Sequence, residues 1–166
     1  MKKALLLFFS VLLLLSLCAC GGTAGDDSAT TVDMEALQTA MLAADPALTD
    51  MTSITGNVED AKELFSYLSD FSYDKVDNFL LSYSSSKPAQ EIAVIAVKDP
   101  SDVDAAASAL RAHVDQRLKL FQQYSPADAA QVEKAQILTK GRYAALIICE
   151  DNLAVQTAFE TALSAQ

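Results

Sequence analysis

Six consecutive apolar residues, Ile92-Ala93-Val94-Ile95-Ala96-Val97, bounded by Glu91 and Lys98, constrain this chain more than any other stretch. A strand with one wet face alternates apolar and polar residues. This run is apolar on both faces and predicts a central strand. Upstream, Phe79, Leu81 and Tyr83 alternate with Asn78, Leu80 and Ser82, which predicts a second strand from about Lys75. Ser84-Ser85-Ser86-Lys87-Pro88 is a turn, so the two strands pair as a hairpin. The pattern returns as Ala135 to Thr139, a turn at Lys140-Gly141, and the apolar strand Tyr143 to Cys149.

A helical period follows each hairpin. Asp99-Pro100-Ser101 opens the longer helix, with Ser101 placed to cap and Asp104 in the first turn. Its stripe is Val103, Ala107, Leu110, Val114, Leu118 and Phe121, and Tyr124-Ser125-Pro126 ends it. An Ala/Asp/Gln-rich connection leads to the second hairpin. Asp151 or Asn152 then caps a last helix whose inner stripe includes Val155, Ala158, Phe159 and Leu163. Two shorter helical patterns precede the first hairpin. One carries Met34, Leu37 and Met41 and stops at Asp45-Pro46; the other follows Asn57 and carries Ala61, Leu64, Phe65 and Leu68. The expected fold is α+β: a four-stranded, largely antiparallel sheet from two strand–strand–helix units. Both helices are expected on one face, preceded by short N-terminal helices.

The start of the chain bears on location. Lys2 and Lys3 precede an apolar run, Ala4 to Leu17, too short for a membrane span of about 20 residues but suited to a secretory leader. Leu17-Cys18-Ala19-Cys20 closes it and resembles the bacterial lipobox. Cys20 is the expected lipidation site, because Ala19 gives it the small preceding residue that Leu17 denies Cys18. The expected division is a lipoprotein leader over residues 1–19, an anchor and tether over 20–32, and one domain over 33–166. As a coil, Gly21 to Thr31 has an end-to-end distance of about 18 Å. The expected location is the extracytoplasmic face of a membrane, held by two or more acyl chains on Cys20.

Charge narrows the partners. The chain carries 12 Lys plus Arg against 22 Asp plus Glu, and cleavage before Cys20 removes Lys2 and Lys3 but no acid. Such a domain disfavours nucleic acid and gains no attraction to anionic headgroups, so membrane contact falls to the lipid. The expected partners are the membrane through Cys20 and an envelope protein. With Cys18 in the leader and Cys20 lipidated, Cys149 is alone in an apolar run and reads as a buried, inert thiol.

Several pieces in order resemble the bacterial lipoprotein family called domain of unknown function 4358. They are the lipobox, Glu91-Ile92-Ala93, Val97-Lys98-Asp99, Arg117, Phe121, Tyr124-Ser125-Pro126 and Lys140-Gly141-Arg142-Tyr143. The resemblance covers roughly Met34 to Phe159. It implies a small exported lipoprotein, mainly of Gram-positive anaerobes, and brings no activity, ligand or catalytic residue.

The residues supply no catalytic or cofactor motif, and no cofactor or metal is expected. His113 is the only histidine, and no Gly-x-Ser-x-Gly, His-Glu-x-x-His or Cys-x-x-Cys accompanies it. It reads as a surface or boundary residue. Arg117 borders the buried stripe and reads either as a structural partner of a carboxylate such as Glu91 or as a receptor for an anion. A pocket lined by Arg117 and Tyr124 would favour ligand capture. Lys140 and Arg142 flank a hairpin tip and carry the same two readings as Arg117, with contact slightly favoured. Asp99, Asp102 and Asp104 lack calcium-loop spacing and read as helix-start acids, while Asp70, Asp74 and Asp77 solvate a loop. The expected function is a non-enzymatic, lipid-anchored binding module. The alternatives are a small-ligand capture module for a transporter and an uncharacterised hydrolase.

Overall fold

The computed structural model describes residues 31–165. The expected leader, Cys20 and all of the tether before residue 31 lie outside the described residues. Val32, expected at the end of the tether, is buried, and its N–H donates to the Tyr143 hydroxyl at 3.1 Å. No helix among the described residues is long and apolar enough to cross a membrane.

The strands are β1 (Met51–Thr55), β2 (Val76–Ser84), β3 (Glu91–Val97), β4 (Gln136–Lys140) and β5 (Tyr143–Ile148). The helices are α1 (Met34–Ala44), α2 (Ala61–Phe65), α3 (Val103–Tyr124), α4 (Pro126–Val132) and α5 (Asn152–Ser164). The sheet is antiparallel in the order β1-β2-β3-β5-β4. The two strand–strand–helix units are present, and β3 lies at the centre with every residue buried. The sheet has five strands, however, not four. The extra one, β1, pairs with the outer side of β2. Its apolar residues, Met51 and Ile54, are three apart, so the alternation that marks a strand is absent. Its β-branched Thr52, Ile54 and Thr55 still suit extended backbone.

The expectation that both long helices share a face also fails. Phe79, Leu81, Ala93, Ile95, Leu146 and Ile148 pack with Ala106, Ala107 and Leu110 of α3. Leu80, Ile92, Val94, Ala145 and Ile147 pack with Met34, Leu37 and Met41 of α1 and Val155 and Phe159 of α5. Strand alternation accounts for the split. β3 leaves the sheet after Val97, on the α3 face. The chain after β5 runs one residue past Ile148 to Cys149, which is buried with the α5 face. One residue of parity sends the last helix to the other side.

Local chemistry sets the ends. Asp33 caps α1, accepting from the N–H groups of Glu35 and Ala36, and Asp151 caps α5 through Ala154. Asp99, rather than Ser101, accepts the opening N–H ahead of α3, that of Ser101 at 2.9 Å, and a 3-10 turn over Pro100–Asp102 precedes Val103. Asn57 caps no helix; α2 starts at Ala61 and is only five residues long. The Ala/Asp/Gln-rich connection is the helix α4, with Pro126 in its first turn and Ala129 and Val132 buried. Gly141, at φ +56°, supplies the left-handed residue of the tight β4–β5 turn.

Candidate functional site

The site grows from a carboxylate that the sheet forces inward. Glu91 opens β3 opposite Ile148, so alternation points it at the α3 face, where its side chain is 3% exposed. A buried carboxylate persists when charged or hydrogen-bonding groups converge on it. His113 and Arg117 are four residues apart on α3, one turn above the other on the same side. His113 Nε2 lies 2.7 Å from Glu91 Oε1, and Arg117 Nη1 lies 2.9 Å from Oε2. Arg117 Nη2 also donates to the carbonyls of Pro88 at 2.7 Å and Ala89 at 3.3 Å, which ties the β2–β3 turn to the helix. One turn further on, the Phe121 ring lies 5.4 Å from the guanidinium carbon.

Above this cluster lies a groove of about 450 Å³. Glu91, His113 and Arg117 form its polar end. Ile54 of β1, Leu64 and Tyr67 from the α2 segment, and Leu81 and Tyr83 of β2 form its walls. Tyr67 is 68% exposed, and Tyr83 is exposed beside it. A narrower cleft of about 60 Å³ meets the other side of His113, near Ser69 and Asp70. Neither serine nor any other nucleophile is hydrogen-bonded to His113 among the described residues; its ring is held by Glu91 alone. The cluster can fix a helix, a strand start and a turn, and offer an aromatic, apolar groove with one charged end.

The structural reading of Arg117, as a partner of Glu91, matches the geometry. The other candidates lie apart from it. Tyr124 ends α3 at 76% exposure and does not line the groove. Lys140 donates to the Glu160 carbonyl at 2.6 Å and to the Ser164 hydroxyl, capping the last turn of α5. Arg142 donates through Nε to the Val97 carbonyl at 2.7 Å and pairs with Asp77 at 2.7 Å. Asp77 is the extra residue of a bulge between Val76 and Asn78, which explains why that acid is not a free loop residue. Asp102 likewise pairs with Lys75 at 2.7 Å. No group of acids, histidines or cysteines among the described residues is arranged to hold a metal. The sequence pattern gives Ile54, Tyr67 and Tyr83 no site role, because the groove they line is closed on one side by β1, which that pattern does not show.

A second polar cluster lies at the end of the opposite face. Asp45, 3% exposed, accepts from the N–H groups of Ala47, Glu150 and Asp151 at 2.8, 3.0 and 2.9 Å. Burial works to raise its carboxyl, but those three N–H groups and the Cys149 thiol outweigh it and hold the group below its ordinary value of 3.8. Cys149 is buried beside it, and burial together with the Asp45 carboxylate pushes the thiol up to about 12. This is an inert thiol, as its sequence setting predicts, and the cluster ties the end of α1 to the start of α5.

No curated protein and no solved structure matches this chain. A family model does, over residues 48–149, a span that contains every wall of the groove and omits both α1 and α5. With well over half of its length matched, the chain belongs to the family described as Domain of unknown function (DUF4358).

Proposed function

We propose that this chain is a lipid-anchored, extracytoplasmic, non-enzymatic binding module that recognises an envelope protein through the groove beside Tyr67 and Tyr83. The observation that carries the reading is the groove itself. Apolar and aromatic walls meet a few fixed polar groups there, the usual make-up of a recognition site. The polar end also supports binding over catalysis. Both Glu91 oxygens are engaged, and the Arg117 guanidinium is spread over Glu91 and two carbonyls. The anchor rests on Leu17-Cys18-Ala19-Cys20 at the end of the leader. Two or more acyl chains there give stable attachment, which an acidic surface cannot provide.

Small-ligand capture is the second reading. It is favoured by the groove volume of about 450 Å³, within the range of small-molecule sites. Two experiments test the proposal. Crosslinking in intact envelopes should recover one stoichiometric protein partner with wild type and lose it with Tyr67→Ala, whose fold is checked by circular dichroism. Recovery of no partner by either protein would overturn the protein-binding reading and leave ligand capture. Metabolic labelling with a fatty-acid probe should mark wild type and not Cys20→Ala; equal labelling of both would remove Cys20 as the anchor.

A further inference from the structure

The two edges of the sheet differ. β4 lies between α3 on one face and α5 on the other and ends in Lys140, which is drawn onto the end of α5. β1 contains no lysine, no proline and no bulge, the devices that blunt an exposed edge. The hydrogen bonds at its two ends set its register. Ser85 N–H donates to the Asp50 carbonyl and Gly56 N–H to the Phe79 carbonyl, so the even-numbered positions between them face β2. The N–H and C=O groups of Met51 and Ser53 therefore point away from the sheet at accessible positions, while Thr55 shares their orientation but is buried. No backbone group among the described residues bonds to them. The same strand supplies Ile54 to the groove wall.

From this juxtaposition we propose that β1 and the groove form one strand-addition site for an extended, basic segment of a partner protein. The inference rests on the binding-module reading and deepens it. A strand laid along β1 satisfies the row of unpaired backbone groups. Every second side chain then falls on the groove face beside Ile54 and within reach of Tyr67. The pocket thus selects an apolar residue at alternate positions. Charge selects the rest. Asp50, Glu59, Asp60 and Glu63, all exposed, flank the strand in sequence against the single Lys62. The acidic chain as a whole draws a Lys- or Arg-bearing partner and repels a second copy of itself. A five-residue edge is also too short to hold two copies together unaided.

The test uses the full chain, ¹⁵N-labelled in mild detergent, and three fluorescent heptapeptides. One alternates Lys with Phe and Val, one carries Glu in place of Lys, and one repeats the basic pattern with a central proline. The basic peptide should bind at least tenfold tighter than either control, and it should slow amide exchange at Met51 and Ser53 at least tenfold. Ser53→Pro, which removes one edge donor, should abolish both effects while circular dichroism stays unchanged. Should that variant not fold, a basic peptide N-methylated at alternate amides takes its place and should not bind. Binding without slower exchange at these amides would overturn strand addition and leave the groove as a binding site of another kind. Failure of all three peptides would overturn it too, with the envelope crosslinking deciding the broader reading separately. Protection that rises with protein concentration in the absence of peptide would make the occupant a second copy. Concentration-independent protection without peptide would make it a segment of this chain. Either result would overturn the proposal.

Discussion

The two faces of the sheet solve the same problem differently. On the α1/α5 face, Met34, Leu37, Met41, Val155 and Phe159 close over the strands with at most 1% exposure each, and polar groups appear only at the margin. On the α3 face, Ala106, Ala107 and Leu110 pack just as closely over the middle of the sheet. At the Glu91 end, however, the helix presents His113 and Arg117 instead of apolar residues, and the groove opens beside them. One face is closed mainly by apolar packing, with the Asp45 carboxylate tying its helices together at one end. The other is held at one end by charge, and packing is left incomplete at the groove. The family match falls on the same division, since 48–149 contains the whole open face and neither helix of the closed one.

The comparison is broken most severely by removing what holds each face. Phe159→Ala deletes a fully buried ring on the closed face and should cost about 3–5 kcal/mol in urea unfolding. Arg117→Leu should cost a similar amount, about 3–5 kcal/mol, by leaving Glu91 buried with one partner fewer. The two losses differ in how they are rescued. Adding Glu91→Leu to Arg117→Leu should restore most of the stability, because apolar replacement of both partners removes the uncompensated charge. No polar substitution elsewhere should rescue Phe159→Ala. If the double variant were no more stable than Arg117→Leu, the charge account of the open face would be wrong.

A smaller effect probes the polar margin of the closed face. Asp45→Ala leaves three backbone N–H groups without their acceptor and should cost about 2–3 kcal/mol at neutral pH. The folded carboxyl titrates below its ordinary value of 3.8. The contribution of ionised Asp45 is therefore complete above the unfolded value and is lost as pH falls through the lower folded one. Parallel unfolding curves should show the gap between wild type and Asp45→Ala closing below pH 3.8, and a gap that widened on acidification would contradict the depressed titration.

Much of this arrangement could be read from the residues, for identifiable reasons. β2, β3 and β5 announced themselves because burial writes itself as alternation or as an unbroken apolar run. β1 did not, since an edge strand buries little and needs no pattern. α4 was hidden because seven residues with two buried positions carry too short a period. The pairing of Arg117 with Glu91 could be anticipated from a helix residue bordering the core and an acid at a strand start. His113 as a second partner could not, because nothing in its neighbours Ala112 and Val114 fixes which way the strand beneath it points. Lys140 and Arg142 looked available at a hairpin tip, yet the carbonyls of Glu160 and Val97, which engage them, lie about 20 and 45 residues away in sequence. Face assignment failed for the same kind of reason: it turned on the single residue Cys149, beyond the last residue of β5.

The smallest stability effect gives the sharpest contrast between the faces. Tyr67 borders the groove at 68% exposure and Leu153 stands on α5 at 69%, so each leaves a large apolar surface in water. Truncating either to alanine removes few packed contacts and should change stability by no more than about 0.5 kcal/mol. On stability alone the two are indistinguishable. Their surroundings are not. Tyr67 stands over apolar walls with a charged end, whereas Leu153 belongs to the first turn of a helix whose inner side is already filled. Tyr67→Ala should therefore weaken capture of the proposed envelope partner at least tenfold, while Leu153→Ala leaves it unchanged, both measured by quantitative crosslinking at matched protein levels. If Leu153→Ala lost the partner and Tyr67→Ala kept it, recognition would belong to the closed face, and the incomplete packing around Glu91 would be a feature of stability alone.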